Sequence, residues 1–448
     1  MKLDLWFRFP KSSVHWIGVV RLMLGIGLMG ASYFALANSH NATRSHGHMA
    51  HTAESVVKGP ANIHQATSVT ASFDGQGRLW AVWIFGQALY VNYSDDLGKS
   101  YSEPVKVNQQ AENISSNSEA RPNIVVANNG NVYVSYAQNL EKRFSGNVRF
   151  SRSIDGGKRF SAPITVNDNR EMIGHSFPVL AVNQQGDVYM VWLDSRDKVA
   201  DQRINTRAEG FIGSSVYYAL SDDEGLSFQS NVKIQDHSCQ CCRIAITLDP
   251  HDLPVILWRH VYGADNRDHG MVRFVSKSKL AAPMRVTDDG WRINACPHHG
   301  PSLSIDKLDN YHMVWFTQGE SRKGSFYAHS TNQGASFSEP VKLGDGSLPA
   351  QHPHVLAIEK NVYVVWKSFD GNETTLYVMR SLDRGRSWGR PTVIAKTANA
   401  SDHGFLLAKD QDAFVSWHTV DQGQRLLKLD PVMFDDGTAV STLSRGNY

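Results

Sequence analysis

The most regular feature of this sequence is an alternation of apolar and polar positions that recurs along most of the chain. Each recurrence is a short, β-branched and apolar stretch that ends in tryptophan or tyrosine, which is typical of a strand in a sheet. Another apolar stretch precedes each of these, separated from it by a turn of Gly, Asn or Asp, so the pattern predicts antiparallel strand pairs. Seven such stretches recur at intervals of roughly 50 to 65 residues: Leu79 to Trp83, Val132 to Tyr136, Val188 to Trp192, Val255 to Trp258, His312 to Trp315, Val362 to Trp366 and Ala413 to Trp417.

An octapeptide follows most of these strand pairs. It reads Ser-x-Asp-x-Gly-x-x-aromatic, in which the Asp side chain can accept backbone N–H bonds and Gly supplies a positive φ without steric cost. The fourth unit has Phe274 to Leu280 in its place, and the seventh unit has no equivalent. Copies in five of the units indicate a repeat architecture. They are Ser94 to Tyr101, Ser153 to Phe160, Ser221 to Phe228, Ser330 to Phe337 with Asn332 in the Asp position, and Ser381 to Trp388.

This octapeptide resembles the Asp-box, or BNR repeat, of the sialidase-like β-propellers, and the resemblance extends from about Gln65 to Leu429. It implies an all-β fold in which four-stranded blades form a ring. The seven units favour seven blades, and the six blades of sialidases are the alternative. Because the seventh unit lacks a clear fourth strand, we expect Glu54 to Val57 to supply it, since a propeller must close its ring to remove free sheet edges.

The N-terminal region differs in composition from the repeats. Residues 1–37 combine basic residues with a mostly apolar run and end in Ala35-Leu36-Ala37, which predicts a secretory signal peptide, with an uncleaved membrane anchor as the alternative. The propeller, residues 54–448, is therefore expected to be exported to the periplasm or the cell exterior. Residues 38–53 are a His-rich tail, interpreted either as a metal-collecting arm or as a solvated linker.

Composition narrows the range of partners. The chain of 448 residues has a formal net charge of +2, so we expect no nucleic-acid partner. It contains no motif for a nucleotide cofactor or for attachment of c-type haem. Membrane association is expected only through an uncleaved N-terminus. The mouth of the propeller is the expected site for a small ligand, a glycan or a protein partner.

The residues just before the first strand of each unit are rich in histidine. In a propeller the first strand lines the central tunnel, so these residues are expected to lie together at one rim. A shared polar or metal-binding site is one interpretation, and a tunnel lining bonded to water is the other. The rim residues that follow from aligning the units are Glu119, Arg121, His175, Arg243, His299, His352, His354 and His403.

All four cysteines of the chain precede two consecutive units. Cys239, Cys241 and Cys242 come before the fourth unit and Cys296 before the fifth, so neighbouring blades should bring them together. Thiolate and imidazole ligands suit Cu(I) or Zn(II), whereas exported cysteines also commonly form disulfides. Free thiols, or one disulfide with His ligands beside it, are the further alternatives, and all of these interpretations stay open. The candidate metal ligands are Cys239, Cys241, Cys242, Cys296, His260, His269, His298 and His299.

The resemblance to sialidases also implies a set of catalytic residues. Sialidases bind the substrate carboxylate with three Arg and use an Asp acid and a Tyr nucleophile activated by Glu. Here Ala120-Arg121-Pro122 matches the signature of the first Arg only in part, and the sequence contains no convincing Tyr–Glu pair. The further catalytic candidates are Arg243, Glu119 and Asp268, of which Asp268 could act as a metal ligand or a base.

We therefore expect an exported propeller with a His/Cys-rich site that binds a soft metal, copper or zinc. One alternative is a non-catalytic propeller that binds a glycan or a protein. The other is an exo-sialidase-type glycoside hydrolase. Whether the chain is an enzyme, of sialidase type or metal-dependent, is left open by the sequence.

Overall fold

The computed structural model describes residues 60–205, 212–263, 265–344 and 346–434. These residues form seven antiparallel β-sheets that are the blades of a seven-bladed β-propeller. The predicted all-β propeller is therefore confirmed, with seven blades and not six. The predicted signal peptide, the His-rich tail and the closing strand Glu54 to Val57 lie outside the described residues.

Within each blade, strands that follow one another along the chain are neighbours in the sheet, except the last two strands of blade 4. The first strands face the central tunnel, because their residues line the cavity at its mouth. The strands, grouped by blade, are β1 (Ser68–Phe73), β2 (Leu79–Phe85), β3 (Ala88–Ser94) and β4 (Val105–Lys106); β5 (Asn123–Val126), β6 (Val132–Asn139), β7 (Gly146–Ser153) and β8 (Ile164–Thr165); β9 (His175–Val182), β10 (Val188–Asp194), β11 (Ser214–Ser221) and β12 (Val232–Ser238); β13 (Ala245–Leu248), β14 (Pro254–Arg259), β15 (His269–Ser276), β16 (Lys279–Leu280) and β17 (Met284–Arg285); β18 (Ser302–Ile305), β19 (Tyr311–Gln318), β20 (Lys323–Ser330) and β21 (Val341–Lys342); β22 (Gln351–Ile358), β23 (Asn361–Phe369), β24 (Thr374–Ser381) and β25 (Thr392–Thr397); and β26 (Phe405–Lys409), β27 (Asp412–Thr419) and β28 (Gly423–Lys428).

Blades 4 and 7 differ from the others, and they are the two units that lack the octapeptide. In blade 4, β16 and β17 both pair with β15, which makes a five-stranded sheet. Blade 7 has three strands within the described part of the chain. The helical segments of the described residues are α1 (Arg196–Ile204), which connects β10 to β11, and the 3-10 turns Ile63–Gln65 and Pro431–Phe434. No helix in the described ranges has both the length and the apolar character needed to cross a membrane.

The hydrophobic core lies between neighbouring blades. For example, Val82 of blade 1 and Val134 of blade 2 belong to one buried cluster. The second strand of every blade contributes a large aromatic side chain at most 2% exposed, and burying such a side chain contributes roughly 1.5–3 kcal/mol. Their recurrence explains why the sequence pattern was so regular. They are Trp83, Tyr136, Trp192, Trp258, Trp315, Trp366 and Trp417.

The five octapeptides form the same turn. In the first, the Ser94 hydroxyl donates to Asp96 Oδ1 at 2.8 Å and accepts from the Gly98 N–H at 2.7 Å, while the Ser100 N–H donates to Asp96 Oδ1 at 2.8 Å. Gly98 has a φ of +84°, a conformation that favours glycine. The other four copies repeat these three hydrogen bonds. The local sequence therefore determines the turn in each blade.

The ring closes where blade 7 meets blade 1. The aromatic rings of Phe73 in β1 and Phe414 in β27 have centroids 5.3 Å apart. The 3-10 turn Ile63–Gln65 contacts β28, and Ile63 is buried in one cluster with Trp83. The first described segment of the chain therefore contacts both the last blade and the first.

Candidate metal centre and tunnel mouth

Three cysteines meet at the start of blade 4, in the loop between β12 and β13. The Cys239 N–H donates to the Arg259 carbonyl at 2.9 Å, which anchors this loop to β14. The Sγ atom of Cys239 lies 3.1 Å from that of Cys242 and 3.6 Å from that of Cys241. All three side chains are buried, and none forms a disulfide. The loop therefore gathers three sulfur atoms within the reach of one ion.

Cys296 and His298, just before blade 5, extend this group. Their ligand atoms lie within 4.8 Å of each other and of the Cys241 Sγ. Cys296 is exposed and His298 is partly exposed, so this side of the group reaches solvent. We call Cys239, Cys241, Cys242, Cys296 and His298 the cysteine cluster.

The thiols of the cysteine cluster differ in acidity because they hydrogen-bond one another. Hydrogen bonds from Cys241 and Cys242 hold the pKa of Cys239 well below its usual value, and a hydrogen bond from Cys241 lowers the pKa of Cys296 to about 6. Burial raises the pKa of Cys242 to about 12, and the hydrogen bond to Cys239 raises the pKa of Cys241. Within the cluster the thiolate form is therefore favoured more at Cys239 and Cys296 than at Cys241 and Cys242.

Three other predicted ligands lie outside the cysteine cluster. His299 follows His298 in the chain but its ring lies in the tunnel. His269 is fully buried in blade 4, with its Nδ1 3.2 Å from the Thr287 hydroxyl. His260 is buried beside the cysteine loop. In the described part of the chain, none of these three histidines belongs to a group of three or more ligand atoms within 4.8 Å of one another.

Two further predicted site residues lie in the interior of their blades. Asp268, a candidate for catalysis, accepts the Asp289 N–H at 2.8 Å and pairs with Arg285. His175, a candidate rim residue, is fully buried, with its Nδ1 2.8 Å from the Gly146 carbonyl. Neither side chain is part of the cavity wall at the tunnel mouth.

Glu119 is the central residue of the tunnel mouth. Its carboxylate accepts Arg243 Nη1 at 2.7 Å and the backbone N–H groups of Arg243 and Gly300 at 3.1 and 2.9 Å. The Nδ1 atoms of His352 and His403 lie 3.2 and 3.7 Å from Glu119 Oε1. Burial alone would raise the pKa of Glu119, but the Arg243 guanidinium, the hydrogen bond from His352 and the backbone N–H of Arg243 together outweigh burial and hold this pKa well below its usual value. One side chain from blade 2 thus connects the starts of blades 4, 5, 6 and 7.

Three histidines form a stack beside Glu119. The ring centroids of His299 and His352 are 4.1 Å apart, and those of His352 and His403 are 3.7 Å apart. Burial lowers the pKa of all three rings, so they are neutral at pH 7. A neutral imidazole offers one donor and one acceptor nitrogen. The stack therefore places uncharged hydrogen-bonding groups beside the Glu119 carboxylate.

Arg121 and Lys367 add positive charge to the mouth. Arg121 pairs with Asp402, and its guanidinium lies 4.1 Å from the centroid of the Phe405 ring. Lys367 donates to the Asp402 carbonyl at 3.3 Å, and burial lowers its pKa to about 8. Sequence reasoning missed Lys367. The signal that could have revealed it is a single charged residue directly after the apolar run that ends in Trp366.

A cavity of about 210 Å³ lies at the tunnel mouth. It is smaller than the roughly 300–1,000 Å³ of typical ligand pockets, so it accepts a small group and not a large ligand. Burial lowers the pKa of His354 in its wall to about 3. The polar side chains of the wall are Thr70, Glu119, Arg121, Asn123, Arg243, Ser302 and His354.

The ligand atoms of Glu119, His352 and His403 also lie within 4.8 Å of one another, so we tested whether this group fits a metal. Arg243 Nη1 is 2.7 Å from the carboxylate and 3.4 Å from His403 Nδ1. A cation held by these residues would be adjacent to the guanidinium, and like charges repel. The tunnel-mouth group therefore disfavours a metal ion, in contrast to the cysteine cluster.

The cysteine cluster and the tunnel mouth are adjacent in space. Phe177 packs against the three buried cysteines and is also part of the cavity wall. Arg243, which pairs with Glu119, directly follows Cys242 in the chain. The loop that carries the thiols therefore also positions the guanidinium of the mouth.

No family profile and no curated protein matches this sequence. Solved structures do match. A PL25 ulvan lyase bound to -[GlcA(1-4)Rha3S]- is 12% identical over 86% of this chain and 98% of its own, with a TM-score of 0.53. The polysaccharide lyase Uly1 is 9% identical over 83% of this chain and 91% of its own, with a TM-score of 0.51. The sialidase Hz136 of Hadza microbial origin is 12% identical over 79% and 73%, with a TM-score of 0.47.

These likenesses show the fold. The protein is a seven-bladed β-propeller, and the polysaccharide lyases that it matches share this fold. At such low identity the fold does not carry an activity with it. Function must be argued from the cysteine cluster and the tunnel mouth.

Proposed function

We propose that this protein is an exported β-propeller that binds a soft transition-metal ion, copper or zinc, through the cysteine cluster. The observation that carries the proposal is the contact of three buried sulfur atoms, 3.1 and 3.6 Å apart, without a disulfide. Thiolate sulfur and imidazole nitrogen are the ligands that Cu(I) and Zn(II) prefer.

Electrostatics support the same proposal. Hydrogen bonds from Cys241 and Cys242 hold the pKa of the Cys239 thiol well below its usual value, which favours the thiolate at a side chain that is 1% exposed. A buried charge is costly unless a partner compensates it. A metal cation at the sulfur atoms would supply that compensation and would also displace the remaining thiol protons.

The test is metal analysis together with a thiol count on the full chain, purified without oxygen and without chelators. We expect bound copper or zinc and four reactive thiols once the metal is removed. The metal should be lost in Cys241→Ser and retained in the matched control His251→Gln, which changes an exposed histidine outside the cluster. Two disulfides and no metal would contradict the proposal and make the cysteines a covalent staple.

Export is the second part of the proposal, and it rests on the Ala35-Leu36-Ala37 sequence after an apolar run. Cleavage there would give a mature chain that begins at Asn38. N-terminal sequencing of the protein from the cell exterior or the periplasm measures this directly. A chain that keeps Met1 and sediments with membranes would favour the anchor instead.

A second candidate function is recognition of an acidic glycan group at the tunnel mouth. It is favoured by the cavity, whose wall contains Arg121 and Arg243, because guanidinium groups bind carboxylates in bidentate geometry. Both residues are already paired with carboxylates, so a ligand would have to compete with Asp402 and Glu119. We expect any binding of uronate or sialoside oligosaccharides to weaken in Arg121→Ala. Absence of turnover of a fluorogenic sialoside between about pH 4 and 8 would exclude the hydrolase alternative.

A further inference from the structure

The cysteine cluster consists of two overlapping groups of ligand atoms. One group is Cys239, Cys241 and Cys242, and the other is Cys241, Cys296 and His298. Within each group all ligand atoms lie within 4.8 Å of one another, and among the described residues the two groups do not merge into one. Cys241 is the member that they share.

This geometry does not suit a single ion. A four-coordinate ion with metal–sulfur bonds of about 2.3 Å holds its sulfur ligands about 3.8 Å apart. The three sulfur atoms of the first group already approach that spacing, at 3.1 and 3.6 Å. The second group needs a separate centre, on the side of Cys241 that faces Cys296 and solvent.

We infer that the cysteine cluster binds two Cu(I) ions bridged by the Cys241 thiolate, an inference that rests on the proposed function. One ion is held by the sulfur atoms of Cys239, Cys241 and Cys242. The other is held by the sulfur atoms of Cys241 and Cys296 and by a ring nitrogen of His298. Each thiol that binds releases its proton to solvent, and the ions do not change their oxidation state.

Coordination number favours copper over zinc at this pair of positions. Closed zinc sites take four protein ligands, whereas each group here offers three. The three cysteines of the first group are 1%, 5% and 2% exposed, which leaves little access for water as a fourth ligand. Soft, thiolate-rich sites of low coordination number suit Cu(I).

Charge at the site is consistent with this occupancy. Four thiolates and two Cu(I) ions leave a net charge of −2, which needs compensation in a buried setting. Arg259, the last residue of β14, is 1% exposed, and its carbonyl accepts the Cys239 N–H. Its guanidinium donates to the carbonyl oxygens of Arg267, His299 and Phe316 at 3.0, 2.9 and 2.7 Å. These acceptors are neutral, so they do not cancel the positive charge of Arg259. Arg243 directly follows Cys242 in the chain, but its guanidinium is paired with Glu119.

The experiment is an anaerobic Cu(I) titration of the full chain against a chromogenic Cu(I) chelator. The four tail histidines, His40, His46, His48 and His51, are replaced by Asn in every sample, so that only the propeller contributes. We expect two equivalents of Cu(I) to be retained per chain. X-ray absorption of the loaded protein should show sulfur scattering together with a copper–copper vector.

Four variants separate the two positions. Cys239→Ser and Cys296→Ser should each retain one equivalent, and Cys241→Ser should weaken both. His298→Ala, a change at a partly exposed side chain, should remove only the second equivalent, and it serves if a buried cysteine variant fails to fold. Thermal melts of each metal-free variant check folding.

The outcomes distinguish this inference from the proposed function. The bridged pair is supported if the cluster retains two equivalents of Cu(I) and Cys239→Ser and Cys296→Ser each lose one of them. A single equivalent that is lost equally in Cys239→Ser and Cys296→Ser overturns the pair and leaves the metal-binding function standing. No retained metal in the unsubstituted cluster overturns both.

Discussion

Glu119 offers the sharpest test of how the tunnel mouth is held together. We predict that Glu119→Gln destabilises the protein strongly, because this carboxylate joins the start of blade 2 to four other blades. The amide keeps the shape but removes the negative charge opposite the Arg243 guanidinium. It also places an N–H₂ group against donors in either orientation, because Arg243 Nη1 donates to Oε1 while the backbone N–H groups of Arg243 and Gly300 both donate to Oε2.

The size of the expected loss in stability follows from the buried ion pair between Glu119 and Arg243. Breaking a buried ion pair from one side costs about 3–5 kcal/mol, because the remaining charge is left without a partner. Glu119 and Arg243 have side chains 4% and 10% exposed, so solvent screening is weak. A loss of about 3–5 kcal/mol corresponds to roughly two to four orders of magnitude in the unfolding equilibrium. It would remove a large part of a typical stability of about 5–15 kcal/mol.

Urea unfolding followed by tryptophan fluorescence measures this, and the chain contains 11 tryptophans as probes. Glu103→Gln, at an exposed glutamate, is the matched control and should change the free energy of unfolding by less than about 0.5 kcal/mol. The double variant Glu119→Gln/Arg243→Met should be less destabilised than the sum of the single changes, since it removes the orphaned charge. If Glu119→Gln changes stability by under about 1 kcal/mol, or increases it, the carboxylate is not a structural hub. A role reserved for a ligand would then be the better account.

Three further predictions concern the turns, the buried histidines and the metal. Gly385→Ala should lower the free energy of unfolding by about 2–4 kcal/mol, because Gly385 has a φ of +81° and an added Cβ would overlap the Tyr327 hydroxyl. The control Gly156→Ala, at a φ of +70° with open space around it, should lower it by only about 1 kcal/mol. Equal losses of stability in chemical denaturation would refute the overlap argument. His269 is fully buried, and burial holds its pKa well below the usual value, so its ring stays neutral in the folded protein while the unfolded chain takes up a proton. The free energy of unfolding should therefore fall by about 1.4 kcal/mol per pH unit from this residue as the pH drops below about 6.5. His269→Gln should flatten the pH profile of urea midpoints by that amount. Metal affinity of the cysteine cluster should decrease as the pH is lowered, because protons compete for the thiolates; a competition titration that gives the same affinity at about pH 5.5 and 7.5 would argue against thiolate ligation.

The sequence alone determined the architecture, because the information for it is local and repeated. A buried aromatic side chain at the end of each second strand marks seven blades, as Trp192 and Trp366 illustrate. The turn at Ser94 is encoded by its own octapeptide, whose Ser, Asp and Gly satisfy one another through hydrogen bonds over four residues. Such features need no distant partner, so they can be predicted from the order of residues along the chain.

The sequence also placed the cysteines in one group, since Cys241 and Cys296 precede neighbouring blades. It could not separate His298 from His299, which are adjacent in the chain. His298 adopts a left-handed φ of +51°, and its ring lies with the cysteines, whereas the ring of His299 stacks on His352 in the tunnel. The direction of successive side chains depends on backbone dihedrals that this pattern does not reveal.

Only the tertiary structure decided the partners across the tunnel. Glu119 meets Arg243 from 124 positions further along and His352 from 233 positions further along. Closing the ring brings these residues to one axis, and no local pattern records which blade starts will face each other. The same closure buries Lys367 against Asp402. The charges of the mouth therefore follow from the geometry of the closed ring, whereas its strands and turns follow from the local sequence.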